Sequence, residues 1–170
     1  QSGAGAEFVR LQHELRRSAH LTLAGPPARV IQELGLSLWV KATRAGVQLR
    51  GRVVLPRSRD PRDGSPLAVW VEGEVYDRPG GWQRLAIRDL LLQVQRQARS
   101  KRSQPQFGEV DEREAYFDLV VLNAYTSPGT TDLWIDNLEL DGFTEAPGAP
   151  GIPPGEWPNL DEHTSAGMPL

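Results

Sequence analysis

A carboxylate stands inside an apolar, strand-like stretch at residues 130–143, TTDLWIDNLELDGF. Because side chains alternate between the two faces of a strand, Asp136 is expected to share a face with Trp134, Leu138 and Leu140. A charged carboxylate on an apolar face needs hydrogen-bond donors or a cation beside it. The sequence therefore predicts a specific partner for Asp136, either backbone N–H groups or a bound cation.

Aromatic and polar side chains alternate with apolar ones in two further segments, residues 36–55 and 67–87. With the apolar residues facing inward, the opposite side presents indole rings beside guanidinium and carboxylate groups. The candidate ligand-binding residues on it are Trp39, Arg50, Arg52, Trp70, Glu72, Tyr76, Trp82 and Arg84. A pyranose ring can lie with its C–H face on an indole while its hydroxyl groups bond to polar side chains. The pattern predicts one shared glycan-binding face, and bidentate arginine contacts would further suit a uronic acid or a sulfate.

Two other interpretations of this face stand beside glycan binding. The same residues can form cross-strand Trp–Arg and Arg–Glu pairs, which stabilise a sheet by roughly 0.2–1 kcal/mol each without any ligand. A helix or the N-terminal segment can also cover the face and make the tryptophans a second core layer. Alternation fixes the side on which a residue lies but not which strands are neighbours.

Composition and charge exclude several classes of function. The chain of 170 residues has a net charge of -3, no cysteine and a hydrophobic fraction of 39%, enough for one continuous core. No basic field for a nucleic-acid partner is present, and no apolar run is long enough to insert into a membrane. The three histidines lack H-E-x-x-H spacing and G-x-S-x-G is absent, so an enzyme is not expected.

The hydrophobic periodicity predicts an all-β fold: a two-sheet antiparallel β-sandwich with one short helical insertion. Residues 36–55 are predicted to form one hairpin, with Trp39 paired to Arg50 or Arg52, and residues 67–87 a second hairpin.

The remaining segments predict a helix, a central strand and a tail. From Arg88 the apolar spacing becomes helical and predicts one short helix that ends before Pro105. Residues 115–125 are apolar on both sides, which is typical of a central strand. Residues 144–170 are too rich in proline and glycine for regular structure. We therefore expect a β-sandwich domain at residues 1–143 and a linker or tail at residues 144–170.

The stretch TTDLWIDNLELDGF resembles the closing strand of galactose-binding-like jelly rolls, a β-sandwich family that includes many carbohydrate-binding modules. The segments SLWVKATRAGVQLRGRVVLP, GGWQRLAI and YFDLVVLNAYTSPGTTDLWIDNLEL are similar to accessory domains of large bacterial envelope proteins. The resemblance implies a jelly roll, an extracellular or cell-envelope location, and neighbouring domains in a parent protein. It also implies a structural calcium site at Asp136 with Glu7 as a second ligand, although Asn137 replaces the frequent second aspartate of the motif.

The residues and the resemblance together predict a non-catalytic, carbohydrate-binding-like module. Its partner would be a polysaccharide or an oligosaccharide held on the aromatic and polar face. The alternative is a structural spacer or protein-interaction domain of a larger envelope protein, in which the same face meets a neighbouring domain. Loss of that neighbour would expose an apolar patch and cause self-association.

Overall fold

Eight strands and one helix make up the part of the chain that the computed structural model describes, residues 5–13, 19–124 and 129–142, without the side chains of His13 and Pro26. The elements in chain order are β1 (Glu7–His13), β2 (Ala19–Arg29), β3 (Gly35–Ala42), β4 (Val47–Arg59), β5 (Pro66–Val75), β6 (Gln83–Ile87), α1 (Leu90–Arg102), a 3₁₀ helix (Pro105–Phe107), β7 (Tyr116–Ala124) and β8 (Gly129–Asp141). Their order is β1-β8-β3-β6 in one sheet, called sheet A, and β2-β7-β4-β5 in the other, called sheet B. All pairings are antiparallel. This is the arrangement of an eight-stranded jelly roll, so the predicted two-sheet sandwich with one helix is confirmed.

The core lies between the two sheets and is filled by their inward side chains. In β3, for example, Leu36, Leu38 and Val40 are 0–3% exposed. Strand β7 is buried on both faces between β2 and β4, as its doubly apolar sequence predicts. Helix α1 buries Leu90, Val94 and Ala98 and contacts β5, which confirms the predicted helical spacing. No helix within the described ranges is long and apolar enough to cross a bilayer.

The two predicted hairpins are wrong, although their strands are present. Strands β3 and β4 lie in different sheets, so residues 43–46 carry the chain from sheet A to sheet B. Strands β5 and β6 are separated in the same way. Two successive strands bury their apolar sides equally well as neighbours in one sheet or as opposing strands across the core, so alternation cannot distinguish these arrangements. As a result, Trp39 lies opposite Arg84 and Asp136, not opposite Arg50 or Arg52.

A β-bulge in β5 reverses the predicted sides of its last residues. The register with β4 shifts between Glu72 and Val75, so Val75 turns to solvent while Tyr76 becomes fully buried. The bulge contains Gly73, where an added Cβ would lie 2.8 Å from the carbonyl oxygen of Ala86. A glycine is required here because only the missing side chain lets the two backbones approach this closely.

A second bulge, in β8, corrects the predicted surroundings of Asp136. The register with β3 shifts next to Asn137, which has a left-handed φ of 47°. Beyond the bulge, Leu140 packs against the core. Before the bulge, Trp134 and Asp136 lie on the opposite, outer face. Asp136 is therefore a half-buried surface carboxylate and not a charge on the core side.

Side chains form hydrogen bonds with backbone groups of the two edge strands near α1, β5 in sheet B and β6 in sheet A. The Gln93 side chain accepts a hydrogen bond from the backbone N–H of Glu72 and donates one to its carbonyl oxygen, both at 2.8 Å. Across the edge, Glu74 Oε2 accepts a bond from the N–H of Ala86 at 3.2 Å. These bonds satisfy backbone groups that would otherwise be open to pairing with another chain.

Candidate functional site on the outer face of sheet A

The outer face of sheet A carries a continuous group of aromatic and charged side chains, which we call the sheet A platform. It is built from the outward positions of all four strands, because the inward positions form the core. Its members are Phe8, Arg10, Ser37, Trp39, Lys41, Trp82, Arg84, Asp132, Trp134, Asp136 and Glu139. Three of the predicted ligand-binding residues, Trp39, Trp82 and Arg84, are among them.

Trp39 lies at the centre of the platform. Arg84 on β6 and Asp136 on β8 are its cross-strand neighbours on either side. Trp82 lies immediately before β6, two residues before Arg84, and continuing the alternation of β6 by one residue places it on the same outer side, diagonal to Trp39. The two tryptophans are 37% and 41% exposed. Among the described residues, no aromatic ring or cation lies over either indole.

A second aromatic pair extends the platform toward β1. Trp134 lies between Phe8 and Lys41 in the sheet. The Phe8 and Trp134 ring centroids are 5.2 Å apart, and the Lys41 Nζ lies 5.3 Å from the Trp134 ring centroid. Sequence reasoning assigned neither aromatic residue to a ligand site. The alternation of residues 132–136 predicted that Trp134 and Asp136 share a face. It does not show that β8 pairs with β3, which is what brings these two residues next to Trp39.

The guanidinium groups of the platform are held by carboxylates. Arg10 forms a bidentate pair with Asp132, at 2.7 Å from Nε and 2.9 Å from Nη2. The Arg10 side chain lowers the pKa of Asp132, chiefly through this hydrogen bond. At the other end, Arg84 Nη2 lies 3.0 Å from Glu139 Oε2. Asp136 Oδ1 accepts the backbone N–H of Asn137 at 2.8 Å, which supplies one of the donors that its sequence position predicted.

A cleft of about 240 Å³ adjoins the platform at its Arg84 end. The polar side chains of its lining are those of Ser37, Arg84, Arg88, Asp89 and Asp141. Asp89 precedes helix α1 in a left-handed conformation, with φ 52° and no side-chain capping bond. The platform thus continues into an open cleft that is lined by both polar and apolar side chains.

The other predicted ligand-binding residues do not join this face. Arg50, Arg52, Trp70 and Glu72 lie on sheet B, on its outer side, so the prediction of one shared face is wrong. Arg52 is only 8% exposed. Its Nε and Nη2 donate to the two carboxylate oxygens of Asp118 at 3.0 and 2.8 Å. This guanidinium is a buried structural group.

Arg50, Trp70 and Glu72 form the cross-strand pairs that the alternative interpretation described. The guanidinium carbon of Arg50 lies 5.6 Å from the Trp70 ring centroid, and its Nη2 lies 3.5 Å from Glu72 Oε1. The Nε atom of Arg50 and the Oδ1 atom of Asn123 are buried without a hydrogen-bond partner among the described residues.

Tyr76 is part of the core and is not available to a ligand. Its hydroxyl lies 3.1 Å from the carbonyl oxygen of Ala42 and 2.7 Å from that of Gly81, with the carbonyl of Arg78 also in contact. The side chain therefore ties the end of β3 to the connection between β5 and β6. The β5 bulge, which sequence alternation does not reveal, explains this placement.

The structure does not bring the two predicted calcium ligands together. Glu7 pairs with Ile135, an inward position, whereas Asp136 is an outward one, so the strand geometry directs the two carboxylates to opposite faces. No group of three or more His, Asp or Glu side chains within the described ranges is placed to hold a metal ion. These residues do not fit the ligand set that calcium needs, and calcium binding stays a prediction.

No family model and no curated protein matches the sequence. Two solved structures of carbohydrate-binding modules are similar to the chain. The first is TmCBM61 in complex with β-1,4-galactotriose, with 16% identity over 82% of this chain and 70% of that one, and a TM-score of 0.37. The second is from the β-sandwich superfamily of modules with promiscuous specificity, with 11% identity over 79% of this chain and 53% of that one, and a TM-score of 0.36. The chain spans about half the length of this second structure.

Proposed function

We propose that this domain is a non-catalytic carbohydrate-binding module that holds an oligosaccharide or polysaccharide on the sheet A platform. The observation that carries the proposal is the open diagonal pair of Trp39 and Trp82, 37% and 41% exposed, with hydrogen-bonding side chains in adjacent positions. Sugar rings are amphipathic and need both kinds of contact at once, because one ring face is apolar and the rim is polar.

Each side chain of the central row has a distinct part in this proposal. Trp39 receives the C–H face of a sugar ring. Arg84 on one side donates hydrogen bonds to ring oxygens and hydroxyl oxygens. Asp136 on the other side accepts hydrogen bonds from hydroxyl groups through the oxygen that Asn137 does not occupy. Since all three project from paired strands, little conformational freedom remains to be lost on binding.

An extracellular or cell-envelope location and neighbouring domains in a parent protein belong to the same proposal. The sequence resemblance to accessory domains of large bacterial envelope proteins supports them. No step of glycan cleavage is proposed, because the platform offers a binding surface and the role needs no reacting group.

Affinity electrophoresis tests the binding role. The chain is run in gels that contain neutral β-glucan, galactan or mannan, or an acidic polysaccharide, beside a protein that does not bind glycans. We expect retardation in at least one gel, and calorimetry with an oligosaccharide from that polymer should give a saturable heat. Release of reducing sugar should stay at the level of a protein-free sample. Unretarded migration in every gel would contradict the proposal.

A second candidate function, a protein-interaction domain, is favoured by the outer face of sheet B. Buried polar atoms without partners are costly, and Arg50 Nε, on the side chain that lies over Trp70, and Asn123 Oδ1 are two such atoms. A neighbouring domain that binds this face and rearranges these side chains could supply the missing hydrogen bonds. Hydrogen exchange of β4 and β5 in the parent protein, compared with the isolated chain, tests it: added protection supports an interface, and equal exchange removes it.

A further inference from the structure

We infer that the sheet A platform selects uncharged glycans and rejects those that carry uronic acid or sulfate groups. The inference rests on the proposed function and narrows it to a class of ligand. It also reverses the expectation, drawn from the abundance of arginine beside tryptophan, that bidentate arginine contacts would favour an acidic glycan.

The platform's guanidinium groups already have anionic partners. Arg10 is held by Asp132, and Arg84 is held by Glu139. Beside the cleft, Arg88 Nε lies 3.1 Å from Glu74 Oε1. A ligand carboxylate would have to share such a guanidinium group with the protein carboxylate or displace it, and it would gain little energy because exposed ion pairs are worth about 0–1 kcal/mol.

The remaining cation is also engaged. Lys41 Nζ lies over the Trp134 ring at 5.3 Å, where the ring quadrupole attracts the ammonium group. The ammonium group has three N–H donors, and the ring face engages only part of its surface. Its remaining N–H groups can donate hydrogen bonds to neutral acceptors, such as hydroxyl oxygens.

Several carboxylates of the same region keep unoccupied acceptor oxygens. Asp136 uses one oxygen for the Asn137 N–H. At the cleft, the Asp89 and Asp141 side chains have no hydrogen-bond or ion-pair partner within the described part of the chain. The platform itself is balanced, with three cations against three carboxylates, and the cleft adds Arg88 against Asp89 and Asp141. One net negative charge therefore remains over the platform and its cleft.

The paired guanidinium groups and the open carboxylate oxygens together define the preferred ligand. Hydroxyl groups donate charge-assisted hydrogen bonds to the open carboxylate oxygens, which a carboxylate or sulfate group cannot do. An anionic ligand would instead meet like charges, each contributing a repulsion of about 1 kcal/mol at 4 Å in water. Specificity therefore arises from a repulsive element as well as an attractive one.

Matched ligands that share one backbone test the inference. Neutral β-glucan, galactan and mannan are each compared with their C6-oxidised forms, in which the primary alcohol has become a carboxylate, by calorimetry. We expect the neutral form to bind more tightly by about 5-fold or more, and the difference to shrink as salt screens the repulsion. Equal or tighter binding of an oxidised form would overturn the selectivity while leaving glycan binding intact. If neither form of any polymer binds, the proposed function itself is overturned, and the inference with it.

A single substitution tests the cause of the selectivity. Glu139→Gln removes the carboxylate that holds Arg84, and Glu139 is about half exposed, so the fold should tolerate the change. We expect the oxidised glycan to gain roughly 2–5-fold in affinity relative to the neutral one. Glu112→Gln is the matched control, because Glu112 pairs with Arg102 outside the platform and the variant has the same change of charge. The role assigned to Glu139 would be refuted if the ratio of the two affinities were unchanged in Glu139→Gln. It would also be refuted if Glu112→Gln changed that ratio by the same amount.

Discussion

Replacement of Trp39 by alanine is the perturbation whose effect can be worked from the structure. A tryptophan side chain covers up to about 250 Å², so the 37% exposure of Trp39 corresponds to roughly 90 Å². A sugar ring that covers half of this removes about 45 Å² from water, worth about 1.1 kcal/mol at 25 cal/mol per Å². The expected loss in affinity is therefore about 6-fold, with an upper bound near 50-fold for complete coverage. Trp82→Ala should give a similar loss, because its exposure is 41%.

The control for this prediction is Trp70→Ala, because Trp70 is the same residue type on the opposite outer face of the sandwich. Calorimetry with the oligosaccharide identified by electrophoresis should show weakened binding for Trp39→Ala and unchanged binding for Trp70→Ala. Circular dichroism and thermal unfolding establish that each variant is folded. The reasoning is refuted if Trp70→Ala loses as much affinity as Trp39→Ala, or if Trp39→Ala binds like the unsubstituted protein.

Three further predictions concern the structure that supports the platform. Asp118→Ala should lower the free energy of unfolding by about 3–5 kcal/mol, because it leaves the buried Arg52 guanidinium unpaired. Replacing both partners, as Arg52→Met with Asp118→Leu, should restore most of this loss in urea titrations, and a double variant as unstable as the single one would contradict that account. Gly73→Ala should cost about 1–3 kcal/mol, since the added Cβ meets backbone oxygen; an unchanged midpoint in urea would show that the bulge is not tightly packed. The pKa of Asp60 is lowered to about 2 from its ordinary 3.8, chiefly by hydrogen bonds from the Arg62 side chain. The stability this gives is complete above pH 4 and is lost as the pH falls from about 4 to about 2, so Asp60→Asn should flatten the acid side of the stability curve; a curve of unchanged slope would contradict it.

Much of the fold follows from the sequence because alternation records which side of a strand is buried. The outward positions of Trp39, Trp82 and Arg84 were predicted correctly, and so were the helix and the central position of β7. These elements are long and strongly periodic, so the pattern alone determines which face is buried.

Two kinds of information were missing from the pattern. Alternation alone does not show where a bulge reverses the sides, as happens at Gly73 and Asn137. The signal that could have indicated the first bulge is the isolated glycine within the strand pattern of β5. These two bulges account for the wrong placements of Tyr76 and Asp136. The pairing of strands is also undetermined by alternation, since burial is the same for a hairpin and for a crossing between sheets.

Strand pairing matters most for the site, because it decides which side chains share a surface. The sequence predicted one face for Trp39 and Trp70, whereas the sheets divide them between opposite sides of the sandwich. In exchange, Phe8 and Trp134 join the platform from β1 and β8, which are distant from β3 in sequence. Only three of the eight predicted ligand-binding residues, Trp39, Trp82 and Arg84, lie on the platform, and its other eight members were not predicted as ligand-binding residues.

Nuclear magnetic resonance of the indole N–H groups tests the central claim most directly. The protein is labelled with ¹⁵N-tryptophan, each signal is assigned by a Trp→Phe variant, and the glycan that binds in electrophoresis is titrated. The account predicts that the Trp39 and Trp82 signals shift along one saturation curve while the Trp70 signal stays in place. Saturable binding with a shift at Trp70 and none at Trp39 or Trp82 would contradict it.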